Sequence, residues 1–167
     1  MNDVDQLLLT LVRLNRQATN EAVPQMMTHV AQAPFSSRPV KMTRWLRQAL
    51  EARGVRSPGE KLPSVDIHLL KRLSLDRQWP AGTTVEQFLT DLHQAVRHPA
   101  VQVWTSRWRG EACAGCLSPS PLRNVPNPDA SMFVASSADH GVIRTGFQAS
   151  SPEAIFAASL AHLTRHR

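Results

Sequence analysis

The first half of the chain is written in a helical period. Val4, Leu7, Leu8, Leu11 and Leu14 recur at helical spacing and predict a helix over residues 4–16. Asn2 would cap it, with Asp3 and Asp5 at its positive end and Arg13 and Arg16 at its negative end. A second helix is predicted over 21–32, capped by Asn20, with Val23, Met26, Met27 and Val30 as its apolar face. Pro24 falls in its first turn, where a missing N–H is tolerated. The pattern breaks between Ala33 and Pro39, then resumes as VKMTRWLRQALEARGV. There Met42, Trp45, Leu46, Ala49 and Leu50 line one face, Lys41, Arg44 and Arg47 the other, and Gly54 ends the helix. Residues 56–63 read as a loop, and Ser64 caps a short helix over 65–73. Thr83-Thr84-Val85-Glu86 reads as a capping box. It opens a helix to Arg97 through Val85, Phe88, Leu89, Leu92 and Val96, with His93 turned away and His98-Pro99 as the stop.

After residue 100 the period changes to two. Strands are predicted over 101–108 and 111–117, joined at Arg109-Gly110, and over 131–137 and 142–149, joined at Asp139-His140-Gly141. The intervening 118–130 is proline-rich and reads as a loop. Ser151-Pro152-Glu153 starts a closing helix with Ile155, Phe156, Ser159, Leu160 and Leu163 inward. The expected fold class is α+β: N-terminal helices, a four-stranded antiparallel meander, and a closing C-terminal helix. The natural division is a helical region over 1–82 and an α+β region over 83–167, compatible with one compact domain of 167 residues.

Charge adds a partner class. Nineteen Lys+Arg face 13 Asp+Glu, a net charge of +6, and arginine dominates the cations. Arginine suits planar, bidentate phosphate contacts, so a polyanion is the expected partner, nucleic acid foremost. The densest positive stretch runs from Arg38 to Arg56, with Glu51 as its sole acid. It reads either as a helix laid against phosphates or as a solvated helix face. The acidic start and the lack of a long apolar run predict a cytoplasmic protein with no membrane partner.

Candidate chemistry is narrow. Cys113 and Cys116 are three apart in a predicted strand, hence on opposite faces, and no second pair exists to complete a zinc site. No metal and no cofactor is expected. The carboxylates after residue 100 (Glu111, Asp129, Asp139 and Glu153) are scattered across separate elements, which disfavours two-metal hydrolysis. No phosphate loop, nucleophile elbow or dinucleotide fingerprint occurs. Metal-free RNA cleavage is left among the hydrolytic readings. His98 and His140 are its candidates for proton transfer, Arg107, Arg109 and Arg144 for the phosphate, and Thr145, Ser136 or Ser137 for hydroxyl donors. The alternation places Arg144 and Gln148 on one sheet face.

Helices followed by a four-stranded meander, with basic and hydroxyl residues on the last strand, resemble the barnase/EndoU/RelE-like ribonuclease fold of bacterial toxins over residues ~84–149. A local echo is Thr145-Gly146-Phe147, where some branches carry a Thr-x-aromatic pair. The resemblance implies a metal-independent ribonuclease. Those branches have tyrosine, and this chain has none.

The leading expectation is a nucleic-acid-binding protein, RNA or single strands preferred. Its contacts would be Arg38, Lys41, Arg44, Arg47, Arg107 and Arg109, with Trp104 and Trp108 as an aromatic platform extended by Phe133 and Phe147. The alternative is the toxin-type ribonuclease, with His98, His140, Arg144 and Thr145 as its catalytic set. A third class is a scaffold whose spare apolar face takes a protein partner or a second copy.

Overall fold

The structure is a computed structural model and describes residues 22–56, 59–108, 110–119, 131–149 and 164–165, the side chains of 22, 23, 25, 105–108, 164 and 165 excepted. The predicted helix over 4–16 and most of the closing helix lie outside these residues.

The class is α+β. The described helices are α1 (Ala22–Val30), α2 (Arg44–Glu51), α3 (Ser64–Ser74) and α4 (Val85–Arg97). Strands β1 (Pro39–Lys41) and β2 (Lys61–Pro63) make a small ribbon. Strands β3 (Gln102–Trp108), β4 (Glu111–Pro119), β5 (Ser131–Ser137), β6 (Val142–Ala149) and β7 (Thr164–Arg165) make the main sheet, in the order β6-β5-β4-β3-β7. The expected meander of four is β3 to β6. The sheet nevertheless has five strands, because Thr164 and Arg165 pair with Thr105 and Trp104 along the β3 edge. A two-residue strand has too few positions for a period of two to show.

The register sorts the sheet into two faces. Val103, Cys116, Val134 and Gly146 are aligned across β3 to β6. The first three share a buried core with Phe88, Leu92 and Val96 of α4 and with Met26, Met27 and Val30 of α1. Gly146 leaves room for α4: a Cβ there would lie 2.3 Å from the Leu92 side chain. Trp104, Gly115, Ala135 and Thr145 form a neighbouring row, so their side chains leave from the other face. Phe133 and Phe147 are partners on that face, with ring centroids 5.3 Å apart.

A second, smaller core holds the basic stretch. Met42, Leu46 and Leu50 bury against Leu62, Ile67, Leu70 and Leu75. Helix α3 is the wall between the two cores, sending Val65 and Leu69 to the large one and Ile67 and Leu70 to the small one. Phe35, Val65, Leu69 and Trp79 therefore share a core with Phe88 and Leu92 across the predicted border at 82–83.

Several local expectations are corrected. Val40 and Lys41 belong to β1, and the helix starts only at Arg44, because Thr43 takes an extended backbone and its hydroxyl accepts from the Leu46 N–H at 3.2 Å. The expected loop over 56–63 contains β2. Ser64 does not cap α3; Pro63 holds the cap position without a side-chain bond. The capping box of α4 lies one residue later, between Thr84 and Gln87. His93 lies off the apolar stripe as expected and is held by the fold, since its Nε2–H donates to the Ala33 carbonyl at 2.8 Å.

The largest correction concerns Arg144 and Gln148, which do not share a face as an unbroken strand would require. Partners of β5 jump from Thr145, opposite Ala135, to Ile143, opposite Ser136, and Arg144 is the extra residue of a bulge. The bulge turns Ile143 into the core and leaves Arg144 free to aim along the end of the sheet. Gln148 is buried, and its backbone N–H and carbonyl both bond the side-chain amide of Gln78, which extends the β6 edge by one peptide-like unit.

Candidate functional site

Two places carry concentrated chemistry. The first is the corner made by β1 and the start of α2. From Arg38 to Trp45 only Met42 is buried. Leu46 and Leu50 point inward. At 100° per residue, Trp45 and Arg44 lie about 120° and 140° from that direction, so both project into solvent. Trp45 is 64% exposed and Val40 41%, the two large apolar side chains most open to water among the described residues. The expected inward placement of Trp45 is thus overturned. It rested on Met42 as a helical neighbour, and Met42 precedes the cap.

Charge at this corner is nearly one-signed. Arg38 and Arg44 are exposed, Arg47 is half-buried, and among the described residues none of the three makes an ion pair; Arg56, also exposed, follows the C-terminal end of α2. Lys41 meets Glu60 at 3.4 Å with both side chains largely in water, a pairing that contributes little. The first turn of α2 carries no acid, so the positive end of the helix dipole adds to the field. Arg53 is different: it donates to the carbonyls of Ser74 and Leu75 and ties α2 to the end of α3.

The second place is the β5–β6 turn. Glu111 at the start of β4 lies beneath it. Arg144 donates to both carboxylate oxygens, Nε to Oε2 at 3.1 Å and Nη2 to Oε1 at 2.8 Å, and its Nη1 donates to Ser36 Oγ at 3.1 Å. His140 Nδ1 stands 3.4 Å from Glu111 Oε1 and 3.3 Å from Ser137 Oγ. Burial alone would raise the Glu111 pKa. Hydrogen bonds from Arg144 and Ser137, with the charges of Arg144 and His140, outweigh it and hold the carboxyl below its ordinary value. Asp139 accepts from the Ala112 N–H at 3.0 Å and fixes the turn to β4.

This cluster is not a serine–histidine–acid relay. A relay needs the hydroxyl and the carboxylate on opposite ring nitrogens, and here both meet Nδ1. What it does provide is a half-exposed imidazole, a carboxylate kept ionised, and a guanidinium already engaged by Glu111 and Ser36.

The remaining predicted residues fall elsewhere. His98 ends α4, and its Nδ1 accepts from the Ala100 N–H at 3.0 Å, which leaves the proton of the neutral ring on Nε2. It lines an open cleft of about 310 Å³ between α1 and the end of α4, with Met27, Thr28, Gln32 and Arg97. His98 precedes the start of β3, whereas His140 and Glu111 lie at the opposite end of the strands. The length of β3 alone, about 20 Å, separates those two ends. The structure brings His140 and Arg144 together and keeps His98 apart. Thr145 follows Arg144 but projects from the face opposite α4. Trp104 is half-buried on that face, beside Gly115, which Phe133 closely approaches. The side chains of Arg107, Trp108 and Arg109 lie outside the described residues.

Two contributors escaped the sequence reading. A continuous helical period points Trp45 inward, whereas the Thr43 cap shortens the helix and turns the indole out. Glu111 looks like a scattered carboxylate in the sequence, and strand register carries it under a turn 26 to 29 residues later. Among the described residues no group of three or more His, Cys, Asp or Glu could hold a metal ion, and no helix is long and apolar enough to cross a membrane. Set against known proteins, the chain matches no family model, no curated protein and no solved structure.

Proposed function

We propose that this protein binds nucleic acid through the β1–α2 corner. The observation that carries the reading is the exposed set Arg38, Lys41 and Arg44, of which Lys41 alone makes an ion pair among the described residues, placed where the α2 dipole adds positive field. Exposed surface cations with few internal partners are the arrangement that phosphate neutralisation requires. RNA or single strands are the favoured ligands. Arg47 supports the corner from its flank.

The test is binding to labelled RNA across a salt series. Three to four phosphate contacts predict a log–log salt slope of about −2 to −3 for a single strand. Replacing Arg44 and Lys41 with Glu should weaken binding by about tenfold or more and flatten the slope by about 1.4. Binding that is absent at low salt, or unchanged in that variant, defeats the reading.

One observation favours a second reading, a metal-independent ribonuclease: His140 and Arg144 converge on the ionised Glu111. A single imidazole would have to take the ribose proton and return it to the leaving oxygen, with Arg144 exchanging Glu111 for the phosphate. Incubation with RNA in EDTA tests it. Cleavage to a cyclic phosphate, lost in His140→Ala, supports the enzyme, and intact RNA excludes it.

A further inference from the structure

We infer that Trp45 is a base-stacking residue and that the β1–α2 corner is specific for unpaired bases, a conclusion that rests on the nucleic-acid reading and sharpens its ligand class. Three observations lead there. Trp45 is the most exposed of the described large apolar side chains, at 64%. An indole left in water forgoes the burial that drives folding, and here the small core is already complete with Met42, Leu46 and Leu50 beneath it. The side chain therefore contributes nothing that this core requires.

Its neighbours supply the second observation. Arg44 precedes it on the helix, Thr43 and Lys41 precede that, and all are exposed. An aromatic face with cations within one helical turn suits a nucleotide, whose base stacks while its phosphate meets a guanidinium. A protein partner would meet the same cations as a desolvation cost, unless it were strongly acidic.

The third is geometric. Helix α2 has eight residues, about 12 Å of axis, and its solvent side presents an indole beside Arg44 and Gln48. A paired duplex has its base faces already stacked, and an indole projecting from a groove-bound helix would meet only edges and sugars. A single strand offers free π-faces and can follow so short a helix and the adjoining β1. The contact would cover only a few nucleotides, with one base on Trp45 and its flanking phosphates on Arg44 and Lys41.

The experiment compares wild type, Trp45→Ala and Trp45→Phe against a labelled oligouridine and a duplex of equal length, at equal salt. The expected result is a loss of about tenfold on the single strand for Trp45→Ala, recovery of most of it in Trp45→Phe, and no change on the duplex. Thermal melting of the three proteins should coincide, since the side chain is outside both cores. Equal losses on single strand and duplex, or single-strand binding that ignores Trp45, would overturn the stacking role while leaving the nucleic-acid reading in place. Failure of the wild type to bind either ligand defeats that reading and this inference together. A concentration-dependent dimer that Trp45→Ala dissociates would show the corner covered by a second copy, and would also overturn it.

Discussion

The Arg144 guanidinium grips both carboxylate oxygens of Glu111, 33 residues earlier in the chain, and its third nitrogen reaches Ser36, 108 residues earlier. One side chain thus joins the start of β4, the bulge in β6 and the segment that leads to β1. The bulge makes this possible, since a regular strand would have put residue 144 on the face of Gly146 and Gln148, toward α4.

Removing that grip should cost stability in a pH-dependent way. Arg144→Ala leaves a half-buried carboxylate without its main partner, a loss of roughly 1–3 kcal/mol. The folded pKa of Glu111 is depressed from 4.5. The pair's contribution is therefore fully present above about pH 4.5 and disappears as the pH falls through the lower folded value. Urea denaturation of wild type and variant should differ at neutral pH and converge in acid.

His68 should add a second acid sensitivity in another window. Burial, then the positive charges of Arg72 and Lys71, lowers its pKa from 6.5 to about 4, and its ring packs 5.3 Å from Phe35. The unfolded chain takes up this proton more readily, so stability should fall as the pH drops from 6.5 toward 4 and change no further on this account below that. The fall should be roughly 2 kcal/mol, at about 1.4 per pKa unit less an allowance for partial exposure. In His68→Phe that slope should vanish from the denaturation series, and the acid loss tied to Glu111 should persist.

Gly146→Ala should be among the most damaging single changes. The added Cβ would meet Leu92, a fully buried side chain of α4, and relieving it means turning that side chain within a packed core or moving the helix. A loss of roughly 1–3 kcal/mol is expected from overpacking at such a site. Leu92→Ala alone should cost about 2–5 kcal/mol, yet the double variant should lose less than the sum. A thermal-melting double-mutant cycle that comes out additive would contradict the contact.

The tryptophans at 45 and 79 should behave oppositely. Trp79 is 4% exposed, stacks edge-on to Phe88 at 4.9 Å, and donates to Asp91 at 2.9 Å. Trp79→Ala should cost about 3–5 kcal/mol, and Trp45→Ala less than about 0.5. Burial raises the Asp91 pKa while the Trp79 N–H opposes the rise. Trp79→Phe should push that carboxyl higher still, visible in an NMR titration.

Much of this protein is legible in its residues. The stripe from Phe88 to Val96 makes α4 wherever its neighbours lie, because one face must be covered and the period is 3.6. The alternation of Val101 to Ala149 similarly yields the four-stranded meander, and it puts Cys113 and Cys116 on opposite faces. Local chemistry was less secure where two signals compete: Thr83 and Thr84 both resemble caps, and the backbone chose the second. Tertiary structure alone decided the rest. A bulge has no reliable period, so Arg144 could not be aimed from sequence. Glu111, His140, Ser137 and Ser36 meet only because strand register folds distant positions onto one sheet end. Trp45 faces solvent because Leu46 and Leu50 fill the space beneath α2, and what a side chain can bury depends on which neighbours meet it in three dimensions.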